Sequence, residues 1–271
     1  MAPALRVDSL AWRGGASAAG TRAVPEETPV AMVYDGGAHA VMMATPADLE
    51  DFAVGFSLSE GIVASAGDVR SIDVVEQPEG IELRMWLVAG EGTALAERRR
   101  HIAGPTGCGL CGVDSLAEAV RPVPRVGEGI RVSPAEVMAA MEALAPLQAL
   151  NRETHAVHAA AFWRPGEGVT HVREDVGRHN ALDKLTGGLA RSSIDGATGV
   201  LLLTSRVSVE MVQKAATAGI ATLVAVSAPT ALAIRTAESV GITLAAVARR
   251  DGFEVFTRPA RIVPESVADV A

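Results

Sequence analysis

The sequence predicts an α/β protein whose two parts differ in their pattern of strands and helices. After about residue 133, apolar runs typical of strands alternate with single amphipathic helices, which favours a mainly parallel sheet with right-handed crossovers. Before residue 125, apolar runs surround one helix instead. The chain has 271 residues and is 49% hydrophobic, enough to bury a sizeable core. We therefore predict a smaller strand-rich α+β domain at 1–125 and an α/β domain at 126–271.

The first part is predicted to contain two β-hairpins. Residues 29–36 and 38–45 are apolar runs joined at residues 35–37 by Asp-Gly-Gly, which tolerates positive φ. Residues 72–87 are predicted to form the second hairpin, with Gly80 in its turn.

That helix is predicted over residues 45–62. Thr45 is a candidate N-cap, Pro46 would take the first helical position, and Gly61 would end the helix. Two acidic residues in the first turn also favour a helix start here.

The second part is predicted to follow a linker at residues 121–134 that is rich in Pro, Gly and charge. Its predicted elements, in order, are a helix at 133–147 capped by Ser133, an antiparallel strand pair at 155–163 and 168–175, a helix at 177–189 ending at Gly187 and Gly188, a strand at 199–204, a helix at 206–219 with Ser205 as N-cap, a strand at 222–227, a helix at 228–241 and a strand at 242–248.

Three polar clusters follow the last three predicted strands, at residues 206–210, 227–230 and 249–252. Ligands of open α/β sheets bind outside the carboxyl ends of the strands, where helix N-termini also point. The first cluster, with Arg206, Ser208, Glu210 and Lys214 around the start of its helix, suits an anion, although capping alone would explain its serine.

Residues 173–185 contain more polar groups than ordinary core. Arg173 and Arg178 could fork onto phosphate or carboxylate, and a surface salt-bridge ladder is the alternative. His155 and His158 fall on a strand or its start, where a histidine is more often a core group than a ligand. The spacing along the helix puts Asp175, His179 and Asp183 on one face or at its start, and Leu182, Leu185 and Leu189 on the opposite, buried face.

Charge and hydropathy exclude several classes of function. The chain has 24 basic and 32 acidic residues, a net charge of −8, which opposes general attraction to nucleic acid or to an anionic membrane. We find no secretory or membrane-spanning run and expect a cytoplasmic protein.

The only two cysteines, Cys108 and Cys111, form a C-x-x-C motif flanked by glycines. In a reducing compartment such a pair is metal-binding or reactive rather than a structural disulfide. A zinc site needs about four ligands, of which His101 could be a third, and no histidine starts an H-x-E motif. A thioredoxin-type pair fits this Gly-rich context poorly. The motif alone is also compatible with two buried thiols that have no chemical role. The basic residues 98–101 would lower the thiol pKa if their field reaches the loop.

Several motifs together give the chain a family resemblance. In order, they are ATPADLEDFAVGFSLSEGI, CGLCG, HAAAF followed by REDVGRHNALDKLTG, SRVSVEMVQKAATAGI followed by AVSAPTALAIRTAE, and FTRPARI, over most of residues 30–263. The chain thereby resembles the formate dehydrogenase accessory sulfurtransferase family, usually called FdhD.

The resemblance implies a sulfurtransferase that works as a sulfur carrier. Cys108 matches the cysteine that takes sulfur from a cysteine desulfurase as a persulfide, and Cys111 matches an auxiliary cysteine. The sulfur goes to the bis(molybdopterin guanine dinucleotide) cofactor that formate dehydrogenase needs. The resemblance also implies a homodimer, no bound metal, and a cytidine deaminase-like three-layer fold for residues 126–271.

The resemblance further implies that one segment contacts the cofactor, and hence that GDP binds as a cofactor fragment. Val247 stands where the family commonly has an aromatic residue, and Thr106 and Gly107 precede Cys108 where serine is common. The implied contact residues are Val247, Ala248, Arg249, Arg250, Asp251 and Gly252.

Two other functions compete with this prediction. A zinc-dependent deaminase-like hydrolase would need a bound metal ion with a glutamate near it. A non-catalytic docking chaperone for formate dehydrogenase would need neither cysteine.

Overall fold

The computed structural model describes residues 1–88 and 123–264, which form a mixed α/β structure with three sheets. In chain order the elements are β1 (Ala4–Arg13), β2 (Ala16–Pro25), β3 (Thr28–Tyr34), β4 (Gly37–Ala44), α1 (Leu49–Ser59), β5 (Val69–Gln77), β6 (Gly80–Leu87), α2 (Pro134–Leu144), α3 (Ala149–Thr154), β7 (His158–Arg164), β8 (Gly168–Asp175), α4 (Arg178–Arg191), β9 (Val200–Leu203), α5 (Val209–Thr217), β10 (Thr222–Ala225), α6 (Ala231–Val240), β11 (Thr243–Arg249) and β12 (Gly252–Thr257).

The strands β1 and β2 form an antiparallel hairpin that the sequence does not predict. Nearly all of its residues are exposed, with Leu10 at 59% and Trp12 at 71% of their full accessibility. Since neither face is buried, the strands carry no alternation of buried and exposed positions, which is the signal that sequence analysis uses.

A four-stranded sheet with the order β4-β3-β6-β5 follows. Both predicted hairpins are confirmed, because β3 pairs with β4 and β5 with β6 in antiparallel fashion, while β3 and β6 pair in parallel. Helix α1 covers the sheet with Phe52 and Phe56, which share a buried cluster with Tyr34 and Leu83.

Helix α1 begins three residues later than predicted, at Leu49 instead of Pro46. Its N-cap is Asp48, in the left-handed conformation, so the assignment of Thr45 as the cap and Pro46 as the first helical residue is wrong. The backbone and side chain of Thr45 bond instead to the far end of β8, where Asp175 lies. The predicted end is right, since Gly61 follows the helix with a φ of +64°.

The larger sheet has six strands in the order β12-β11-β10-β9-β7-β8. Only the central strands β9, β10 and β11 pair in parallel, and the other three pairings are antiparallel, so the prediction of a mainly parallel sheet is wrong. The physical reason is that a hairpin flanks the parallel centre on each side. The predicted pairing of β7 with β8 is confirmed.

Helices cover both faces of this sheet and make three layers. Along β9, Leu201 and Leu203 pack in a cluster with α4, α5 and α6, whereas Val200 and Leu202 pack in a second cluster with Val137 of α2. Helix α2 starts as predicted, because the Ser133 hydroxyl accepts a hydrogen bond from the amide of Glu136.

Helix α4 continues past Gly187 and Gly188 to Arg191, so the predicted end is wrong. These glycines serve packing: a Cβ atom on Gly187 would lie well inside contact distance of the Asp51 carbonyl oxygen on α1, and one on Gly55 would overlap the Asp183 carbonyl. The predicted buried stripe of Leu182, Leu185 and Leu189 is confirmed.

The described part of the predicted linker is held against the larger sheet. The amide of Val126 donates to Val240, and the Arg261 guanidinium binds the carbonyls of Gly127 and Glu128. The division into domains at residue 125 stays a prediction.

Candidate functional site

One edge of the six-stranded sheet collects the candidate residues. Strands β8, β9, β10 and β11 all end there, and β7 begins there because it runs antiparallel to β8 and β9. The register places His158, the first residue of β7, opposite Asp175, the last residue of β8. The three polar clusters predicted for the carboxyl ends of the last three strands do lie at this edge.

Hydrogen bonds join the loops that follow β9 and β10. The amide of Thr230 donates to the Val207 carbonyl at 2.9 Å, and the amide of Val207 reaches Ala228 at 3.4 Å. Helix α5 starts at Val209 with Ser208 as its N-cap, so the prediction of Ser205 as the cap is wrong: the Ser205 hydroxyl donates to the Arg206 carbonyl instead.

The segment 247–252 forms the end of β11 and the turn into β12. Val247 has a φ of +56°, and the pairing with β12 shifts register between Ala246 and Arg249. A β-branched residue is an outlier at positive φ, and such outliers concentrate at functional sites. The side chain of Ala248 is buried in the core, whereas Arg249, Arg250 and Asp251 are exposed.

Cys108 and Cys111 lie outside the described residues, as do His101 and the arginines before it. The prediction that Cys108 carries sulfur therefore remains a prediction, as does the role of Cys111.

The polar residues predicted to share a face at the start of α4 have three separate sets of partners. Asp175 precedes the helix and accepts from Lys184, His179 places Nε2 3.1 Å from Glu210 on α5, and both carboxylate oxygens of Asp183 accept from Lys214 at 2.8 and 2.9 Å. The spacing is right, but the residues form no common site. The expectation that Lys214 serves an anion is wrong, because it is buried against Asp183.

Arg173 does fork onto a carboxylate, as predicted. Its Nε and Nη2 donate to Oδ2 of Asp51 at 2.8 and 2.6 Å, and Arg191 binds the other oxygen of the same carboxylate. The hydrogen bond that Arg191 donates to Asp51, together with the negative charge of that carboxylate, raises the pKa of Arg191. These ion pairs join β8 and α4 to α1.

A second junction, which sequence analysis missed, is centred on Thr45. Its amide donates to Asp175 at 3.0 Å and its carbonyl accepts from Lys184 at 2.8 Å; both charged side chains are fully buried. Sequence spacing gives no signal for this contact, because Thr45 and Asp175 lie 130 positions apart.

His158 lies at the start of β7, as expected, but His155 lies before the strand with a φ of +55°. Burial lowers the pKa of His158, and the positive charges of Arg178 and Arg206 lower it further. Within the described residues, neither guanidinium makes a hydrogen bond or an ion pair, and the Arg178 Nε atom is buried.

Residues 1–88 and 123–264 contain no group of three or more His, Cys, Asp or Glu side chains arranged to hold a metal ion. In the same ranges, none of the helices has the length and apolar character needed to span a bilayer. The zinc alternative depends on Cys108 and Cys111 and is not tested by this result.

Comparison with known proteins identifies close relatives along most of the chain. The sequence model of the FdhD/NarQ family matches residues 25–263. A protein of Agrobacterium fabrum named sulfur carrier protein FdhD is 54% identical over 259 residues, covering 95% of this chain and 96% of that protein. A protein of the same name from Bordetella petrii is 51% identical over 256 residues, covering 93% and 92%.

A solved structure also resembles the fold. It is the crystal structure of a protein from Desulfotalea psychrophila assigned as a formate dehydrogenase accessory protein, with a TM-score of 0.74 and 25% identity. The match covers 97% of this chain and all of that one, so the similarity includes both sheets with helical cover rather than one of them.

Proposed function

The chain belongs to the FdhD/NarQ family, and from that premise we propose that it is a sulfur carrier serving formate dehydrogenase. Cys108 accepts sulfur from a cysteine desulfurase as a persulfide. It passes this sulfur to the bis(molybdopterin guanine dinucleotide) molybdenum cofactor, a bound substrate that formate dehydrogenase requires. Cys111 is an auxiliary thiol.

The observation that carries this proposal is identity of about half over nearly the whole chain to relatives named as sulfur carriers. Carrying sulfur as a persulfide needs a cysteine, and this chain has only Cys108 and Cys111. Glycines between and beside them in the sequence would suit a segment that takes sulfur from the desulfurase and delivers it to the bound cofactor.

The chemistry is thiol exchange. The Cys108 thiolate attacks the terminal sulfur of the desulfurase persulfide, a new S–S bond forms, and the desulfurase cysteine leaves as a thiolate. The new persulfide is more acidic than a thiol, so it is ionised near neutral pH. On transfer, the acceptor would donate the electron pair that forms its new bond to the terminal sulfur, while the S–S bond would break with its electron pair going to Cys108, which would leave as a thiolate.

The cofactor is proposed to bind at the sheet edge, against residues 247–252. Helix N-termini of α5 and α6 point to this edge and supply free backbone amides, and Arg249 and Arg250 add exposed positive charge. Val247 and Ala248 would contribute through their backbone, since Ala248 is buried. GDP, which carries the guanine and phosphates of the cofactor, is expected to bind here.

Three further properties are proposed with this function. The three layers around the six-stranded sheet support a relationship of residues 126–271 to the cytidine deaminase fold. A cytoplasmic location would keep the two cysteines reduced, as sulfur transfer requires. The homodimer rests on the family resemblance, and light scattering of the purified protein tests it.

Sulfur loading is the direct test. The purified chain is incubated with a cysteine desulfurase and cysteine, and its intact mass is expected to increase by one sulfur atom that peptide mapping assigns to Cys108. Cys111→Ser is the matched control and should still load. Sulfur found only on Cys111, or on neither cysteine, would overturn the assignment.

Maturation of formate dehydrogenase separates the carrier from a docking chaperone. If Cys108→Ala still matures the enzyme, the chain serves as a chaperone and not as a carrier. Stoichiometric zinc in the purified protein would favour the hydrolase alternative instead.

A further inference from the structure

Three residues with basic side chains, each from a different segment of the chain, lie at the end of the sheet edge that is farther from residues 247–252. His158 begins β7, Arg178 begins α4, and Arg206 lies between β9 and α5. Main-chain contacts fix the geometry: the amide of Ala159 donates to the Thr204 hydroxyl at 2.9 Å, and the amide of Thr204 donates to the Ala159 carbonyl at 3.1 Å. His158 therefore lies beside the loop that carries Arg206.

The N-termini of α4 and α5 are joined at this place. His179 on α4 lies 3.1 Å from Glu210 on α5, and Glu210 also accepts a hydrogen bond from Ser208 at 2.8 Å. Hydrogen bonding to His179 is the main cause that lowers the pKa of Glu210, with the charge of Arg178 contributing. The two carboxylates beside the cluster are therefore engaged: Glu210 accepts from Ser208, and Asp175, which lies opposite His158 in the strand register, pairs with Lys184.

Both arginines lack a partner in the described chain. Arg206 is exposed, whereas Arg178 is half-buried, and other half-buried arginines do have a partner: Arg173 binds Asp51, and Arg261 binds backbone carbonyls. By contrast, the buried Nε of Arg178 has no acceptor, and burying a charged donor without one costs free energy. The charges of Arg178 and Arg206 also disfavour protonation of His158. A bound anion would supply the acceptor that the buried Arg178 Nε lacks.

We propose that His158, Arg178 and Arg206 form a binding site for a phosphate-class dianion. The guanidinium groups supply forked donors that match phosphate oxygens, and the N-termini of α4 and α5 add favourable dipoles. The chain has a net charge of −8 and so does not attract anions in general, but this cluster supplies the positive charge that an anion needs locally.

The site is separate from residues 247–252. Strands β7 and β11 are three positions apart in the sheet, or about 14 Å at the usual strand spacing. The source of the phosphate rests on the proposed function: if that function holds, the phosphate belongs to the nucleotide part of the cofactor. Free inorganic anions are the other source of the same chemistry.

Calorimetry with inorganic pyrophosphate on the full chain tests the proposal. Wild-type protein should bind, and Arg206→Gln and Arg178→Gln should each weaken binding about tenfold to a hundredfold, the range expected for a charge-assisted hydrogen bond. Arg70→Gln is the matched control, because Arg70 is exposed on β5 in the other sheet and the charge change is the same. Since Arg206 is exposed, its variant should fold normally.

NMR of the His158 ring gives a second measurement. Adding pyrophosphate should raise its pKa, because a bound anion stabilises the protonated ring. Unchanged pyrophosphate affinity in folded Arg178→Gln and Arg206→Gln, or an equal loss in Arg70→Gln, would overturn the proposal.

Parallel titrations with GDP separate the anion-site proposal from the cofactor-binding proposal. If pyrophosphate binding depends on Arg178 and Arg206 while GDP does not bind, the anion site stands and the nucleotide cofactor fails. If Arg249→Ala weakens GDP binding while no variant affects pyrophosphate, the cofactor proposal stands and the anion site fails.

Discussion

At the scale of single residues, the core of this protein contains buried side-chain charges that are paired with an opposite charge. Asp183 is buried on α4, and Lys214 reaches it from α5 with two hydrogen bonds. Burial raises the pKa of Asp183, and Lys214 opposes that rise. Breaking such a pair on one side is expensive because it leaves the other charge buried without compensation.

Lys214→Met should therefore destabilise the protein by about 3–5 kcal/mol, measured by urea unfolding. Burial already raises the pKa of Asp183, and loss of the Lys214 cation should raise it further above its unfolded value. Stability of the variant is then greatest at low pH and is lost as pH rises through the folded-state pKa.

The difference between the variant and wild type should accordingly narrow as pH falls from about 8 to about 5. The double variant Asp183→Leu with Lys214→Met removes both charges and should recover much of the loss. A constant difference at all pH values would contradict this account of the pair.

His158 gives the second prediction at this scale. Its pKa is lowered in the free protein, so it is neutral near pH 7. The groups that act on it are Arg178, Arg206 and His179, which lower the pKa, and Asp175, which raises it. Because a bound anion favours the protonated ring, pyrophosphate affinity should rise as pH falls from about 8 to about 6.

His158→Gln should lose this part of the pH dependence while keeping the part due to titration of pyrophosphate itself. Calorimetry of both proteins at several pH values provides the comparison. Identical pH profiles would show that His158 does not face the bound anion.

At the scale of elements, the contact between α1 and α4 depends on glycine. Gly55 and Gly187 allow the two backbones to approach so closely that a Cβ on either would overlap a carbonyl of the other helix. The ion pairs of Asp51 with Arg173 and Arg191 lie beside this contact. Close packing and charge pairing thus hold the two sheets' helical layers together.

Gly187→Ala should destabilise the protein by about 1–3 kcal/mol or more, since the helices must separate. In an exposed helix the same change would stabilise by about 0.5–1 kcal/mol, so the sign of the effect is informative. Thermal or urea unfolding measures it.

Gly188→Ala is the control in the next position of the same helix. There a Cβ would meet the ends of the Arg173 and Asp51 side chains at 3.1 and 3.2 Å, which can shift more easily than backbone. We expect a smaller loss of stability. Equal effects of the two changes would argue against backbone contact as the cause.

The elements that the sequence predicts well are those with one buried face. The hairpin of β3 with β4 and the leucine stripe of α4 carry clear alternation or helical periodicity, and both are confirmed. Gly187 and Gly188 mislead because local propensity treats glycine as a helix end, whereas here tertiary packing needs it inside the helix. The hairpin of β1 with β2 has no buried face to leave a pattern.

At the scale of the whole molecule, the candidate site is assembled from distant segments by sheet topology. The order of strands in the sheet places the start of β7 beside the end of β9, so His158 and Arg206 become neighbours although 48 positions separate them. The position of the polar loops at one edge follows from general rules for strand–helix alternation and is predictable. Which side chains become neighbours depends on the register of the strands, and no local sequence pattern predicts that register.

The last prediction concerns the proposed separation of sulfur carriage by the cysteine motif from cofactor binding at the sheet edge. If sulfur is carried by Cys108 and the cofactor binds at residues 247–252, each function should fail separately. Cys108→Ser removes the atom that carries sulfur but leaves Arg249 and the helix N-termini unchanged, so maturation of formate dehydrogenase should stop while GDP affinity stays within about twofold. Arg249→Ala should still accept persulfide on Cys108, whereas GDP affinity falls about tenfold and sulfur transfer falls with it. Persulfide loading by mass spectrometry, GDP calorimetry and a maturation assay on both variants make the comparison, with Cys111→Ser as the control for loss of a thiol. Loss of GDP binding in a folded Cys108→Ser protein would show that the cysteine segment is part of the binding pocket, and the two functions would then be one.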